Sequence, residues 1–465
     1  MSGSLRPREA TLEDNAGHGG LPRAGSFREL LAVAVPLVLS SGSISLMIAI
    51  DRLFLTWYSE DALAASTPAA ALHWTVMSAF VGTINYSNAF VAQYEGAGRK
   101  DRVMASVWQA VFLAVIAGIL FLALVPFSAG IFNLVGHAPE VRRLETQFFR
   151  TLCFGTVPML LTMALGAFYS GRGKTRVVMY VDFLMAATNI GLDPLLIFGI
   201  GPFPRLGIVG AALATDIAYT TAVIAYIVLS FYSADCMAYG FWKHVRVDKE
   251  LLARLLRYGL PTGLQMAAEV SAFSVFLFLV GRLGTAELAA TNLALNINML
   301  SFIPMVGVGT AVMTLVGRRI GEGRPKLAER TTWLAARAVA TYMFAFGVLF
   351  VFFPETILLP FTGWHATSGM ASIQNQVVVL LRFVAVYTFF DGMAIVFAFA
   401  VRGAGDTRFP FFYTLVTAWT IMVLPTYLMI STGRGGLVAA WCACSAYICV
   451  LGTGFLLRFL NGKWK

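Results

Sequence analysis

Residues 96–99, Gly-Ala-Gly-Arg, and residues 321–324, Gly-Glu-Gly-Arg, are one turn written twice in the chain, 225 positions apart. The same shift also superimposes Pro36 on Pro261, Gly82 on Gly307, and residues 63–66 (LAAS) on residues 288–291 (LAAT). Further on, shifts of 232 and 231 lay residues 171–176 (GRGKTR) over 403–408 (GAGDTR) and Pro194 over Pro425. Several matches at one ungapped shift indicate an internal duplication, and the drift of a few residues indicates a loop insertion.

The amino-acid composition indicates the environment in which this duplicated chain folds. Of the 465 residues, 58% are hydrophobic and 12% are charged, against roughly 25% charged in soluble domains. The mean hydropathy is +0.75, so this apolar surface must be buried in lipid. The composition therefore predicts an integral membrane protein and excludes a soluble enzyme. The net charge of +10 is not gathered on an exposed domain, which argues against a nucleic-acid partner.

Twelve apolar segments are long enough to cross the hydrocarbon layer. They run roughly over residues 28–57, 63–93, 103–133, 144–170, 177–199, 207–233, 252–280, 287–317, 330–360, 373–401, 409–431 and 436–459. Each repeat therefore holds six spans, an even number, so both halves enter the membrane in the same direction, as in transporters built from parallel repeats. We expect an all-α membrane protein with two pseudo-symmetric six-helix bundles. The predicted domains are a disordered tail (1–26), an N-lobe (27–240) and a C-lobe (241–465).

The distribution of basic residues predicts the orientation. With both termini in the cytoplasm, 25 of the 34 Lys and Arg lie inside and five lie outside, as the positive-inside rule requires. We therefore expect a multi-pass protein of the cell (inner) membrane with cytoplasmic termini, in contact with membrane lipids. The five cysteines show no metal-binding spacing and are interpreted as small packing residues.

Six carboxylates lie within the apolar spans, where an ionised side chain is costly and usually functional. They are Asp51, Asp182, Asp193, Asp216, Glu269 and Asp391. The spacing of Asp182, Asn189 and Asp193 places all three within about 40° on one helical face. In the second half, Gln265 precedes Glu269 by one turn, and Tyr387 likewise precedes Asp391.

Such buried oxygen groups suit two chemistries, proton carriage and the binding of a hard cation such as Na⁺. Structural alternatives remain open for three of the carboxylates. For Asp51 the structural alternative is an ion pair with Arg52. For Asp182 it is a cap at the membrane interface, and for Asp216 it is a hydrogen bond to a neighbouring helix.

The chain also resembles the multidrug and toxic compound extrusion (MATE) family of cation-coupled efflux transporters. The resemblance covers residues 28 to 460 and rests on several motifs together. They are Ile50-Asp51, LAAST (63–67), AQYEGAGR (92–99), GKTR (173–176), NIGLDPLLIFG (189–199), LPTGLQMAAEVSAF (260–273), LAATNLALNI (288–297) and RGAGDTR (402–408).

The resemblance implies a secondary antiporter that exports cationic, amphipathic drugs or toxic compounds by alternating access, without enzymatic activity or a cofactor. Protons or sodium ions drive the exchange, and we expect a monomer. The family's N-lobe cation site corresponds to Asp51, Asn189 and Asp193, with Thr215 as the hydroxyl ligand, and these residues are where Na⁺ is expected. Its C-lobe acidic cluster corresponds to Glu269, Tyr387 and Asp391. Secondary candidates are Asp182, Asp216, Gln265 and Pro36.

Three other functions fit the sequence less well. A flippase for a lipid-linked saccharide or lipid precursor shares this fold distantly, but it needs basic residues in the cleft, whereas the charges here are mostly acidic. A membrane-embedded transferase needs acidic metal motifs or a catalytic His/Cys set, which the sequence lacks. A channel is disfavoured because no segment resembling a selectivity filter recurs.

Overall fold

The computed structural model describes residues 22–135, 137–362, 368–433 and 435–465, all of them helical or in short connections. The predicted tail lies outside the described residues as far as residue 21. The helices are α1 Phe27–Tyr58, α2 Glu60–Asn85, α3 Ser87–Gly96, α4 Lys100–Leu124, α5 Ser128–Val135, α6 Pro139–Ser170, α7 Thr175–Phe198, α8 Ile208–Tyr232, α9 Ala234–Ala238, α10 Lys249–Gly281, α11 Thr285–Gly321, α12 Pro325–Phe352, α13 Pro354–Thr362, α14 Ser368–Gly403, α15 Arg408–Thr417, α16 Leu424–Ser431 and α17 Leu437–Leu460.

Eleven helices in the described part of the chain are long and apolar enough to cross a membrane. The second predicted span is the exception: its main helix, α2, has 26 residues but is less apolar than the eleven others, and the chain is interrupted at Tyr86 between α2 and α3. Its lower hydropathy follows from its position, since α2 packs between α6 and α10 and buries polar side chains such as Ser66 and His73. Large apolar side chains such as Phe344 and Val386 are exposed on the outside, as expected of a surface in lipid.

The helices form two halves, α1–α8 and α10–α17, which run in the same direction. α1 packs on α11, and α2 packs on α10, so the first helix of each half lies against the second helix of the other. α1 begins beside the end of α11, where Glu29 pairs with Arg319. α10 begins beside the end of α3, where Arg254 lies over the Tyr94 ring. The predicted parallel duplication is confirmed, and we call this end of the bundle, where α1 begins, the terminal face.

The repeat recurs in space as pairs of equivalent backbone contacts between the halves. A Cβ on Gly96 would lie 2.1 Å from the Arg318 carbonyl oxygen, and a Cβ on Gly321 would lie 2.0 Å from that of Gln93. The 225-residue shift relates Gly96 to Gly321 and Gln93 to Arg318, so the two contacts are equivalent. Glycine is therefore required at both positions, because no side chain fits between the backbones.

The first helix of each half begins in the core of the other half. Leu30 and Val33, near the start of α1, are buried with side chains of α11, α12 and α14. Leu251 and Leu255, near the start of α10, are buried with side chains of α2, α4 and α6. The 225-residue shift relates Leu30 to Leu255. The halves are therefore interlocked at the terminal face by their first helices.

The polar contacts at this interlock differ between the two repeats. Glu29 and Arg319 are both buried, at 2% and 4% exposure, and form an ion pair between the halves. At the equivalent place in the other half, Arg254 lies 5.8 Å from the centre of the Tyr94 ring. A charge pair on one side of the pseudo-symmetry axis is thus replaced by a cation–π contact on the other.

The connection between the halves is fixed to the terminal face of the first half. Trp108 donates a hydrogen bond of 2.8 Å to the Phe241 carbonyl oxygen, and Arg102 pairs with Asp248 at 3.2 Å. The Tyr239 hydroxyl donates to Glu95 at 2.7 Å. Burial, together with this hydrogen bond, raises the pKa of Tyr239 to about 12, so the hydroxyl remains a donor at physiological pH.

We predict that Gly96→Ala and Gly321→Ala each lower the melting temperature of the detergent-purified protein, because the added methyl group overpacks an interface of backbone atoms. Such overpacking costs about 1–3 kcal/mol. Gly130→Ala is the control, since it is helical and a Cβ there meets nothing within 4 Å. Unchanged melting of both interface variants would contradict the close approach of the two repeats.

Candidate functional site

Three helices of the first half bring Asp51, Asn189, Asp193 and Thr215 together, and we call this group the first-half site. Asn189 donates to the Thr215 hydroxyl at 3.2 Å, and Thr215 lies 3.4 Å from an Asp51 carboxylate oxygen. The Asp51 and Asp193 carboxyl groups lie within hydrogen-bonding reach of each other. Spacing alone placed Asn189 and Asp193 on one face, and the packing of α7 against α1 and α8 brings in the other two.

Four oxygens of the first-half site are buried and have no hydrogen-bond partner among the described residues. They are Asp51 Oδ1, Asn189 Oδ1 and both carboxylate oxygens of Asp193. Pro194 follows Asp193 within α7 and supplies no N–H, so the carbonyl oxygen of Ile190 loses its usual helical donor. The first-half site is therefore rich in oxygen acceptors that lack donors.

This chemistry suits a proton or a small hard cation. Two carboxylates in contact within low dielectric repel each other strongly unless a proton or a cation lies between them. Oxygen ligands from carboxylate, amide and hydroxyl groups match the preference of hard cations. The described residues contain no group of three or more His, Cys, Asp and Glu side chains that would hold a metal ion.

Residues of the second half gather around Glu269, and we call Glu269, Gln265, Tyr387 and Asp391 the second-half site. Gln265 donates to Glu269 at 3.1 Å and to the Thr414 hydroxyl at 3.0 Å. Asp391 lies close enough to Glu269 for their charges to interact, and the buried Tyr387 lies near Asp391. Thr414 belongs to α15, which ends in a π-helical turn at Ala418–Val423, a feature often found at functional sites.

Asp51 and Asp182, two carboxylates of the first half, have different surroundings. In the described structure Asp51 forms no ion pair with Arg52, since its partner is Thr215. Asp182 lies on the face predicted for it but away from the first-half site, where it accepts a hydrogen bond from Ser40 of α1. It is buried and follows the first turns of α7, so it is not an interfacial cap.

Asp216 and Pro36 each lie at a contact between helices. Asp216 packs against the backbone of α6, since a Cβ on Gly155 would lie 1.6 Å from the Asp216 carboxylate oxygen Oδ1. Pro36 lies within α1 beside the contact with the second half, where a Cβ on Gly307 would lie 2.7 Å from the Val38 nitrogen.

The sequence did not reveal two contacts of the predicted polar residues, that of Ser40 with Asp182 and that of Thr414 with Gln265. Ser40 and Thr414 are ordinary hydroxyl residues in apolar helices, and only the packing of helices shows what they contact. Arg402, the first residue of the RGAGDTR motif, lies near the end of α14 at the terminal face, where its carbonyl oxygen accepts a hydrogen bond from the Tyr86 hydroxyl.

Comparison with known proteins gives one family. The sequence profile of the MatE family matches residues 36–195 and 261–428, two segments whose starts differ by the 225-residue shift. The probable multidrug resistance protein NorM of Thermotoga maritima is 26% identical over 452 residues, covering 94% of this chain and 93% of that protein. The multidrug resistance protein MdtK of Pectobacterium atrosepticum is 28% identical over 424 residues, covering 89% and 91%.

Solved structures share the fold. A multidrug resistance MATE family transporter of the MOP superfamily, in an outward-facing conformation, superimposes with a TM-score of 0.86 at 20% identity, covering 94% of this chain and 96% of that one. The eukaryotic MATE transporter AtDTX14 superimposes with a TM-score of 0.82 at 17% identity, covering 94% and 96%.

We predict that Asp51→Asn raises the melting temperature of the purified protein at pH 8 without sodium, by on the order of 3 °C for a chain of this size. The amide removes one of two carboxylates in contact and can donate to Asp193. Asp216→Asn is the matched control, because Asp216 has no carboxylate neighbour of this kind and we expect no gain. A melting temperature of Asp51→Asn at or below the wild-type value would show that the two carboxyl groups do not repel each other.

Proposed function

Because this chain belongs to the MatE family, we propose that it is a multidrug efflux transporter that exports cationic, amphipathic compounds in exchange for protons or sodium ions. The observation that carries the proposal is the first-half site, in which two contacting carboxyl groups and an amide present four unpartnered oxygens inside a membrane bundle. The family consists of membrane transporters and not of enzymes.

The coupling ion, in this proposal, binds at the first-half site. A proton or Na⁺ placed between Asp51 and Asp193 relieves their repulsion and allows α1 and α7 to pack closely. Asp51 lies on α1, and α1 begins within the core of the second half. Occupancy of the site therefore acts on a helix that belongs to the interface between the halves.

The cargo, in this proposal, enters the cleft between the halves and is attracted by the second-half site. Glu269 and Asp391 supply negative charge inside the bundle, which favours positively charged compounds. The interlock at the terminal face, with the Glu29–Arg319 ion pair, closes one end of this cleft. Opening that end and closing the other would give alternating access.

We also propose that the terminal face is cytoplasmic and that the protein acts as a monomer in the cell (inner) membrane. The basic residues support this orientation, since Arg102, Arg254 and Arg319 all lie at the terminal face and cytoplasmic ends collect Lys and Arg. The export of lipid-linked saccharides is not favoured, because both sites are mainly acidic and would repel a pyrophosphate.

We predict that Glu269→Gln and Asp391→Asn each reduce ethidium efflux by about tenfold, a usual size for an energetic coupling, because each removes a negative charge that attracts the cargo. Efflux is measured as dye accumulation in a bacterial strain without its own multidrug pumps, at matched protein levels and with and without an ionophore. Glu250→Gln, at an exposed position of the terminal face, is the control with wild-type efflux. Wild-type efflux in both site variants would exclude the second-half site from cargo binding.

We predict that Asp51→Asn abolishes the dependence of transport on the driving ion, because the coupling ion loses one of its two carboxylates. Purified protein in liposomes is given an imposed proton gradient or an imposed sodium gradient, and dye uptake is followed for wild type and variant. The gradient that drives wild-type transport identifies the ion. If the variant responds to that gradient as strongly as wild type does, coupling does not occur at the first-half site.

A further inference from the structure

A cavity of about 500 Å³ lies on the outer side of α12, and no residue of the two acidic sites lines it. Its lining consists of Arg330, Trp333, Leu334 and Arg337. Both arginines are exposed, and within the described part of the chain neither guanidinium forms an ion pair or a hydrogen bond. The adjacent acid, Glu329, pairs instead with Lys465 at 2.8 Å. The cavity therefore offers two positive charges that no described acid neutralises.

The outer side of α12 changes from charged to apolar along the helix. At intervals of seven residues it carries Arg330, Arg337, Phe344 and Val351. A step of seven residues turns a helix by only about 20° from full alignment, so these side chains form one stripe, and all of them are exposed. Because α12 begins at the terminal face, the stripe presents charge near that face and apolar surface deeper in the membrane.

Arg337 lies at a depth where a charge without a partner is costly. α12 has 28 residues, which corresponds to about 42 Å, against roughly 30 Å of hydrocarbon. If α12 extends equally beyond both sides of the hydrocarbon, Arg337 starts about 12 Å inside it. Its side chain points towards the start of the helix and the headgroups. An arginine that faces lipid at this depth is costly unless an anion accompanies it.

The protein itself fills the equivalent place in the first half. The 225-residue shift relates Trp333 to Trp108, which is only 9% exposed. The Trp108 indole donates to the Phe241 carbonyl oxygen at 2.8 Å, and the Trp108 ring lies 5.8 Å from that of Trp242. The connection between the halves thus covers this tryptophan and accepts its hydrogen bond.

In the second half, no described segment covers the tryptophan in this way. Trp333 packs on Phe397 and Phe459, with ring centres 5.6 and 6.1 Å away, and it also lines the cavity. Its indole N–H has no acceptor among the described residues. The same shift places the two arginines where the first half has Ala105 and Phe112. The repeat thus leaves an open place here and surrounds it with positive charge.

We infer that this cavity binds an anionic phospholipid from the membrane leaflet at the terminal face. The lipid phosphate lies between the two arginine side chains, and the Trp333 indole donates to a headgroup oxygen. One acyl chain follows α12 past Phe344 and Val351. A lipid without net charge would leave both arginines unmatched, and a free phosphate ion would leave the apolar part of the stripe unmatched. This inference does not depend on what the protein transports.

The test measures the affinity of the first bound lipid. Detergent-purified full-length protein is titrated with phosphatidylglycerol, or with phosphatidylcholine of the same acyl chains, and bound lipid is counted by native mass spectrometry. We expect wild type to prefer phosphatidylglycerol by about thirtyfold, because each basic residue near the membrane surface contributes about fivefold. Arg330→Gln and Arg337→Gln should each lower this preference about fivefold, and the double variant should abolish it.

Two controls accompany these variants. Arg337→Lys keeps the charge and should keep the preference. Arg176→Gln, exposed at the start of α7, removes a basic side chain that does not line the cavity, and it should also keep the preference.

Three outcomes would overturn the inference. The first is an equal preference in wild type and in the double variant. The second is release of phosphatidylglycerol by millimolar inorganic phosphate, which would assign the cavity to a free anion. The third is a preference that appears only after deletion of residues 1–21, which would show that the N-terminal segment and not a lipid occupies the cavity in the full-length chain.

Discussion

The close approach of backbones at the terminal face is the constraint on which the rest of this structure depends. Gly96 against the Arg318 carbonyl, and Gly321 against that of Gln93, bring the two repeats to a separation that no side chain permits. This approach lets α1 and α10 begin inside the opposite half. Both first helices then continue into their own halves, where α1 carries Asp51 and α10 carries Glu269. Each acidic site is therefore built on a helix that the interface also holds.

The two repeats pack in equivalent ways, but their acidic sites lie at positions that the repeat does not relate. The 225-residue shift places Phe276 opposite Asp51 and Ile44 opposite Glu269, so neither site repeats the other. Duplication explains the packing of helices, since apolar pattern and glycine positions are kept in both copies. It does not explain the buried acids, because Asp51 and Glu269 each have an apolar residue at the repeat-related position of the other copy. The two sites accordingly differ in their residues and in their helices, and we propose different tasks for them, ion binding in the first half and cargo binding in the second.

The sequence predicted the spans, the duplication and the parallel direction of the halves, because hydropathy over twenty residues and an ungapped repeat are strong signals. It did not predict the break at Tyr86, since α2 and α3 are continuous in apolar pattern. Asn189 and Asp193 could be paired from spacing, whereas their meeting with Asp51 followed only from the family resemblance. The Ser40 and Thr414 contacts could not be predicted, because they depend on which helix faces lie together.

The ion and the interface are linked physically through α1. Asp51 and Asp193 in contact cannot both keep their charge in low dielectric without a partner, so the packing of α1 against α7 depends on occupancy. The start of α1 is fixed because its Glu29 pairs with Arg319 of the second half. Pro36 lies in α1 between this ion pair and Asp51. A proline within a helix removes one hydrogen bond and makes that point the easiest to bend. Near Pro36, α1 meets Gly307 of the second half, so a bend of α1 at this point would carry a change at Asp51 to the interface between the halves.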